Sequence, residues 1–266
     1  MNDSELLRRL DLALRLAREA GDGTLRVFRS GNVAVEMKHD ATPVTVADRA
    51  AEQYLRERLA VEMPDDAILG EEFGEKSGTS GFRWILDPID GTKSFVSGVP
   101  LYGTLVGVEH ARQAVVGVIH LPALGETAYA AHGHGAWYVR GNAEPVLTKV
   151  SAKRKLKDSL YVTSEIKTFD ELGRRAVHDR LQAASWLSRT WGDCYGYMLV
   201  ATGRAELAVD PKMNIWDCAA IAPVIEEAGG TFSNWRGDRT IHDPEAIATN
   251  GHILNEVLAI VKETMN

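Results

Sequence analysis

Near the start of the chain, Leu6, Leu7, Leu10, Leu14 and Ala17 recur at helical spacing, and Gly21 to Gly23 are expected to end that helix. A second helix is predicted over 46–61 (VADRAAEQYLRERLAV). Short apolar runs follow at 67–69 and 82–86, separated by the polar stretch EKSGTSG at 75–81. Segments 102–109, 114–120, 127–131 and 135–139 read as strands punctuated by Gly and Pro, which predicts a meandering antiparallel sheet. After about residue 150 the texture changes to an α/β alternation: strand 159–163, helix 170–184, strand 186–191, helix 193–203, strand 205–209, helix 216–228 and a last helix from 251. The pattern predicts an α/β (α+β) protein with an N-terminal half, 1–148, and a C-terminal half, 149–266. With no Gly/Ser- or Pro-rich linker between them, the halves are expected to pack as one unit.

The first segment carries acidic residues and interrupts its apolar positions with Arg, so it reads as an amphipathic helix rather than a signal peptide. No uninterrupted apolar stretch is long enough to span a membrane, and a soluble protein without a membrane partner is expected. Cys194 and Cys218 are the only cysteines and do not form a CxxC pair, which points to a reducing cytoplasm and argues against a disulfide framework or thiolate zinc site. With 30 basic and 37 acidic residues the formal net charge is -7. The one dense basic run, KVSAKRKLK at 149–157, reads as a solvated loop or helix face, so nucleic acid is not expected as a partner.

The chemistry lies in FRWILDPIDGTKSF, 82–95. An apolar strand runs straight into Asp87-Pro88-Ile89-Asp90-Gly91-Thr92, placing two carboxylates at a strand's carboxyl end, where open α/β sheets tend to bind ligands. An ordinary Asp-Pro turn followed by an Asp-Gly turn fits the same letters. Upstream, Glu71-Glu72 ends another apolar run; downstream, Asp217 opens a helix at Asn214-Ile215-Trp216-Asp217. Each has a plainer reading, Glu71 as a solvated charge and Asp217 as a helix-start acid. If these groups converge, like charges about 4 Å apart repel by roughly 4 kcal/mol at an effective dielectric of about 20. Only Lys93 lies within the motifs, so a divalent cation is the natural counter-charge, and an all-oxygen donor set suits Mg²⁺ or Mn²⁺. His132-Gly133-His134, the one close histidine pair, has no matching ligand set and reads as a loop.

Taken together, Glu71 in GEEF, the run DPIDGT and Trp216-Asp217 followed by Glu227-Ala228-Gly229-Gly230 resemble the signature motifs of the inositol monophosphatase superfamily. The segment Thr42-Pro43-Val44-Thr45-Val46-Ala47-Asp48 is similar to the family's stretch preceding its catalytic Thr/Asp partnership. SGVPLYGT at 97–104 and SRTWGDCYGY at 188–197 resemble the branch that hydrolyses histidinol phosphate in histidine biosynthesis, and Lys93-Ser94-Phe95 replaces the usual ending of the inositol phosphatase motif.

The resemblance implies a layered α/β/α/β/α sandwich, commonly a homodimer, hydrolysing a small phosphate monoester with Mg²⁺, for which Mn²⁺ can substitute. It implies that Glu71, Asp87, the Ile89 carbonyl, Asp90 and Asp217 hold metal, and that Gly91 and Thr92 offer backbone N–H groups to the phosphate. Glu71, Thr92 and Asp48 become the catalytic set, the last two placing or deprotonating the attacking water. It sets Asp210 where inositol phosphatases carry a hydroxyl-binding carboxylate, here suited to a cationic substrate. Asp193 and Arg189 are further candidates for that pocket, with a helix N-cap and a surface charge as their plainer readings.

Overall fold

The computed structural model describes residues 2–31, 35–37 and 43–265; Thr42 of the segment 42–48 lies outside them. Helix α1 (Asp3–Ser30) is followed by the short pair β1 (Val35–Met37) and β2 (Pro43–Thr45), then α2 (Val46–Glu62). Next come β3 (Ala67–Gly70), β4 (Gly74–Lys76), β5 (Phe82–Asp90), the short α3 (Thr92–Val96), and the meander β6 (Gly103–His110), β7 (Gln113–Leu121), β8 (Glu126–Ala131), β9 (Ala136–Arg140) and β10 (Val146–Leu147). The second half runs β11 (Leu160–Val162), α4 (Ile166–Glu171), α5 (Arg175–Ala184), β12 (Leu187–Arg189), α6 (Cys194–Ala201), β13 (Leu207–Asp210), α7 (Ile215–Ala219), α8 (Ile221–Glu227), β14 (Thr231–Ser233), β15 (Ala246–Thr249) and α9 (Leu254–Met265).

Besides the β1–β2 ribbon, the described residues form two larger sheets and three helical layers. The eight-stranded sheet has the order β10-β9-β8-β7-β6-β5-β3-β4, antiparallel except where β3 runs parallel to β5. The five-stranded sheet has the order β12-β11-β13-β15-β14, parallel around β11 and antiparallel beyond β13. Helices α1 and α2 cover one face of the large sheet, burying Leu10, Leu16, Leu55 and Leu59 against Trp84, Val106 and Val118. Helices α6, α7 and α8 fill the space between the sheets, where Met198, Ala219 and Ile225 join Leu105 and Ile119 from one sheet to Val162 and Ala248 from the other. Helices α4, α5 and α9 close the outer face of the small sheet through Phe169, Leu181 and Val257. This is the five-layer α/β/α/β/α sandwich expected, and residue 148 falls between β10 and β11.

Three helices depart from the sequence reading for identifiable reasons. Gly21 and Gly23 do not stop α1, which continues to Ser30 and is capped by Gly31 at φ +67. Gly21 is a contact point instead: a Cβ there would sit 2.5 Å from Cδ2 of His120, a buried side chain whose Nδ1 bonds the Thr127 hydroxyl. Gly21→Ala should therefore destabilise the protein although alanine favours helix by about 1 kcal/mol. Overpacking of roughly 1–3 kcal/mol outweighs that gain, and Tm should fall by a few degrees; a raised Tm would show that His120 swings aside freely.

The helix expected over 170–184 breaks at Gly173 (φ +67), giving α4 and α5. The helix expected over 216–228 divides into α7 and α8 because Pro223 has no N–H to offer the Ala219 carbonyl four residues earlier. That divided region lies flat on the large sheet where Gly107 and Gly117 face each other across β6 and β7. A Cβ at Gly107 would stand 2.7 Å from the Ala219 Cβ, and one at Gly117 would stand 2.0 Å from the Ala220 oxygen. The two glycines thus let α7, and Asp217 with it, approach the sheet closely.

Candidate active site

Strand β5 carries the central carboxylates. Asp87 pairs with Leu105 on β6, but Asp90 pairs with Gly103, so β5 holds one extra residue between them. Residues three apart on a regular strand point to opposite faces; this bulge lets Asp87 and Asp90 converge. Pro88 cannot donate to the ladder, and its carbonyl instead accepts from the Thr104 hydroxyl at 2.9 Å. Asp87 Oδ1 accepts the Ile89 N–H at 3.1 Å. Gly91 turns the chain with φ +85 into α3, in close contact with Asp193 and the Leu101 carbonyl, where a side chain would not fit.

Asp217 comes from the facing layer. It sits in the first turn of α7, where Oδ2 accepts the Asn214 N–H at 2.7 Å. The helix-start reading is therefore satisfied by one oxygen only. Asp87, Asp90 and Asp217 each offer a carboxylate oxygen within 4.8 Å of the others. Glu71 follows β3, whose parallel register places Gly70 beside Leu86, and its N–H bonds the Leu86 carbonyl at 3.2 Å. Its side chain lines the same cleft as Asp87.

Electrostatics make the cluster costly by itself. Burial pushes the Asp87 carboxyl well above the usual range, with Glu71, Asp90 and Asp217 adding repulsion. Burial likewise raises Asp90 well above it, reinforced by Asp193 and Asp217, while a hydrogen bond from the Cys194 N–H works the other way. Asp217 is raised to about 7, mainly by burial. Among the described residues no Lys or Arg pairs with these three, since Lys93 is engaged with Glu165 at 2.6 Å. Clustered hard oxygens on Asp87, Asp90 and Asp217, with no Lys or Arg partner among the described residues, fit a divalent cation.

Thr92 and Asp48 stand beside this cluster. The Thr92 hydroxyl lies 3.0 Å from the Ile89 carbonyl and 3.5 Å from Asp48 Oδ1. Asp48 caps α2: its Oδ2 accepts the Thr45 N–H at 2.8 Å and the Thr45 hydroxyl at 2.5 Å, leaving Oδ1 turned towards Thr92. Burial raises its carboxyl despite those two bonds, which favours proton uptake at this position.

The cleft encloses about 620 Å³ and is lined by Glu71, Asp87, Ile89, Asp90, Gly91, Thr92, Asp193 and Asp217, among others. Asp193 holds φ +52, unusual outside glycine, fixed by its N–H bonding the Ser164 hydroxyl at 2.9 Å. It occupies the N-cap position of α6, but its side chain makes no capping bond. Its carboxyl is raised to about 6, by burial and then by Asp210.

Two candidates are not brought to the cleft wall. Asp210 lies behind it, at 3% exposure, with Oδ1 accepting from the Thr163 hydroxyl and the Ser164 N–H, and Oδ2 from the Tyr197 hydroxyl. Its bonds instead hold Ser164 and Tyr197, both of which line the cleft. Arg189 is exposed, bonds the adjacent Ser188 carbonyl and does not line the cleft, in keeping with a surface charge. Glu165, Thr168 and Lys212 do line it but stand in no motif. The 132–134 turn is a loop, tied to Glu227 through the N–H groups of Gly133 and Gly135. The basic run 149–157 is mostly exposed.

The chain is similar to known proteins over nearly its whole length. Residues 6–265 match the model of the inositol monophosphatase family. The chain is 44% identical to a histidinol-phosphatase of Chlorobaculum parvum over 94% of both proteins. It is 38% identical to a histidinol-phosphatase of Streptomyces coelicolor, covering 96% of this chain and 97% of the relative. Among solved structures, it is similar to an IMPase of Thermotoga maritima with a TM-score of 0.85 and 29% identity, over 97% of this chain and 98% of the other. A metal-dependent phosphatase family, a matching five-layer fold and an acidic cluster able to hold a cation agree, and the chain belongs to the inositol monophosphatase family.

Proposed function

We propose that this chain is a histidinol-phosphatase, a Mg²⁺-dependent phosphomonoesterase that releases histidinol and phosphate from histidinol phosphate. The observation that carries the reading is the convergence of Asp87, Asp90 and Asp217 beside the Thr92–Asp48 pair. Its substrate is suggested by near full-length similarity to histidinol-phosphatases. Glu71, Asp87, the Ile89 carbonyl, Asp90 and Asp217 would hold the metal, with Mn²⁺ able to substitute. A divalent cation there would make an attacking water more acidic and offset charge on the departing oxygen.

The protein's own groups supply orientation and proton movement. Gly91 and Thr92 direct backbone N–H groups at the phosphate. As the Thr92 hydroxyl oxygen takes the proton of the attacking water, its own proton passes to Asp48 Oδ1. The water oxygen bonds to phosphorus, the ester P–O bond breaks, the leaving alkoxide takes a proton from a solvent water to become histidinol, and the hydroxide so formed takes back the proton held by Asp48. Asp193, inside the cleft and outside the three-carboxylate cluster, faces the substrate's cationic amine.

The reading extends to a homodimer working in the cytoplasm. Exposed Trp186 and Trp191 flank the edge strand β12 and supply apolar surface for such a contact. Both cysteines are buried free thiols, consistent with a reducing compartment, and no helix among the described residues is long and apolar enough to cross a membrane.

Phosphate release with Mg²⁺ tests the substrate. The kcat/KM for histidinol phosphate should exceed that for inositol 1-phosphate by about ten-fold or more, because a site that pairs a half-buried acid with an amine discriminates against ligands lacking it. Preference for inositol 1-phosphate would make the chain a polyol-phosphate phosphatase instead.

A further inference from the structure

We infer that Glu52 is a positioning residue for Glu71, acting through the turn that joins β3 to β4. The inference rests on the reading of Glu71 as a metal-holding residue. Glu52 lies on α2 with 0% exposure, an unusual place for a carboxylate. Its oxygens grip the residues just after Glu71: Oε2 accepts the Glu72 N–H at 2.7 Å, and Oε1 accepts the Phe73 N–H at 3.2 Å. Arg56, one turn further along α2, donates to Glu52 Oε1 at 2.7 Å and also to the Gly74 carbonyl. The helix thereby holds the chain from 72 to 74 through a charge-paired clamp.

Gly70 supplies independent support from the other side of Glu71. A Cβ at Gly70 would lie 2.0 Å from Glu52 Oε1, so the glycine makes room for the carboxylate. The need is for space, because Gly70 is not among the residues of positive φ. Glutamate suits the position better than glutamine: two oxygens meet two backbone N–H groups and a guanidinium, whereas an amide would set an NH₂ against one donor. Asp48 lies four residues earlier, on the same side of α2, and reaches towards Thr92. One helix face thus orients both the water-handling pair and the Glu71 turn.

The test is calorimetric titration with Mn²⁺ of wild type, Glu52→Gln, Gly70→Ala, Glu71→Gln and the Glu52→Gln/Glu71→Gln double variant, at a temperature where each is folded. Partners that orient metal ligands typically contribute about 10–100-fold in affinity. Glu52→Gln and Gly70→Ala should each weaken Mn²⁺ binding by about ten-fold or more, and the double variant should bind no more weakly than Glu71→Gln alone. Gly70→Ala keeps an allowed backbone and carries the test should Glu52→Gln fail to fold. A lowered Tm with unchanged Mn²⁺ affinity in these variants would overturn the proposal and leave Glu52 a purely structural residue. If Glu71→Gln itself binds Mn²⁺ like wild type, the metal-holding role of Glu71 fails first, and the role of Glu52 falls with it.

Discussion

Asp90→Asn is expected to lower turnover by at least about a thousandfold, equivalent to about 4 kcal/mol of lost transition-state stabilisation. Asparagine keeps the size of the side chain and a carbonyl oxygen for the Cys194 N–H, but it removes the charge that would hold a cation. Without a cation that charge is a burden, since burial, Asp193 and Asp217 all push the Asp90 carboxyl upward. The variant stripped by chelator should therefore be at least as stable as stripped wild type, while the Tm increase on adding Mg²⁺ shrinks. This pattern separates a ligand from a structural acid. Equal losses of Tm with and without Mg²⁺, accompanied by normal turnover, would remove Asp90 from the metal site. Wild type should lose activity in excess chelator and regain it with Mg²⁺ or Mn²⁺.

Thr92→Ala should reduce kcat by roughly 10²–10⁴-fold, the usual contribution of a positioned acid or base. The hydroxyl links Ile89 and Asp48 across the cleft edge, and its removal leaves Asp48 Oδ1 without that contact while Thr45 still holds Oδ2. The fold should persist, because Asp48 keeps its capping role in α2. Mn²⁺ affinity measured by titration should change far less than kcat. Recovery of wild-type turnover at saturating metal would show that Thr92 serves metal binding rather than the water.

Asp87, Asp90 and Asp217 were legible in the sequence because an apolar strand ending in acids, and a helix opening on one, are local patterns. Their convergence depends on features without a local signature: the bulge in β5 and the glycine pair beneath α7. Asp210 shows the limit clearly. All four residues of β13 are buried, so alternation along the strand gives no indication that its terminal carboxylate turns towards Tyr197 rather than into the cleft. Glu165 and Lys212 reach the site from segments flanking β11 and β13, and only the packing of the second half brings them there. Gly21 carried an ambiguous signal. A helix stop and a close helix–sheet contact both select glycine, and only the position of His120 distinguishes them. The single helix expected over 216–228 missed the division between α7 and α8, although Pro223 carries a local mark of it in its missing N–H.

The glycine floor beneath α7 has a mechanical consequence. Asp87 and Asp217 are roughly 130 residues apart in the chain, yet one stands on the large sheet and the other on the helical layer above it. A cation shared between them would be a clasp that fastens the two halves together, adding its binding free energy to the cost of separating the layers. Because Gly107 and Gly117 set how near those layers lie, they fix the bite of the clasp. A bulkier residue at either position would lift one jaw while leaving every carboxylate in place, so metal retention and resistance to unfolding should decline together.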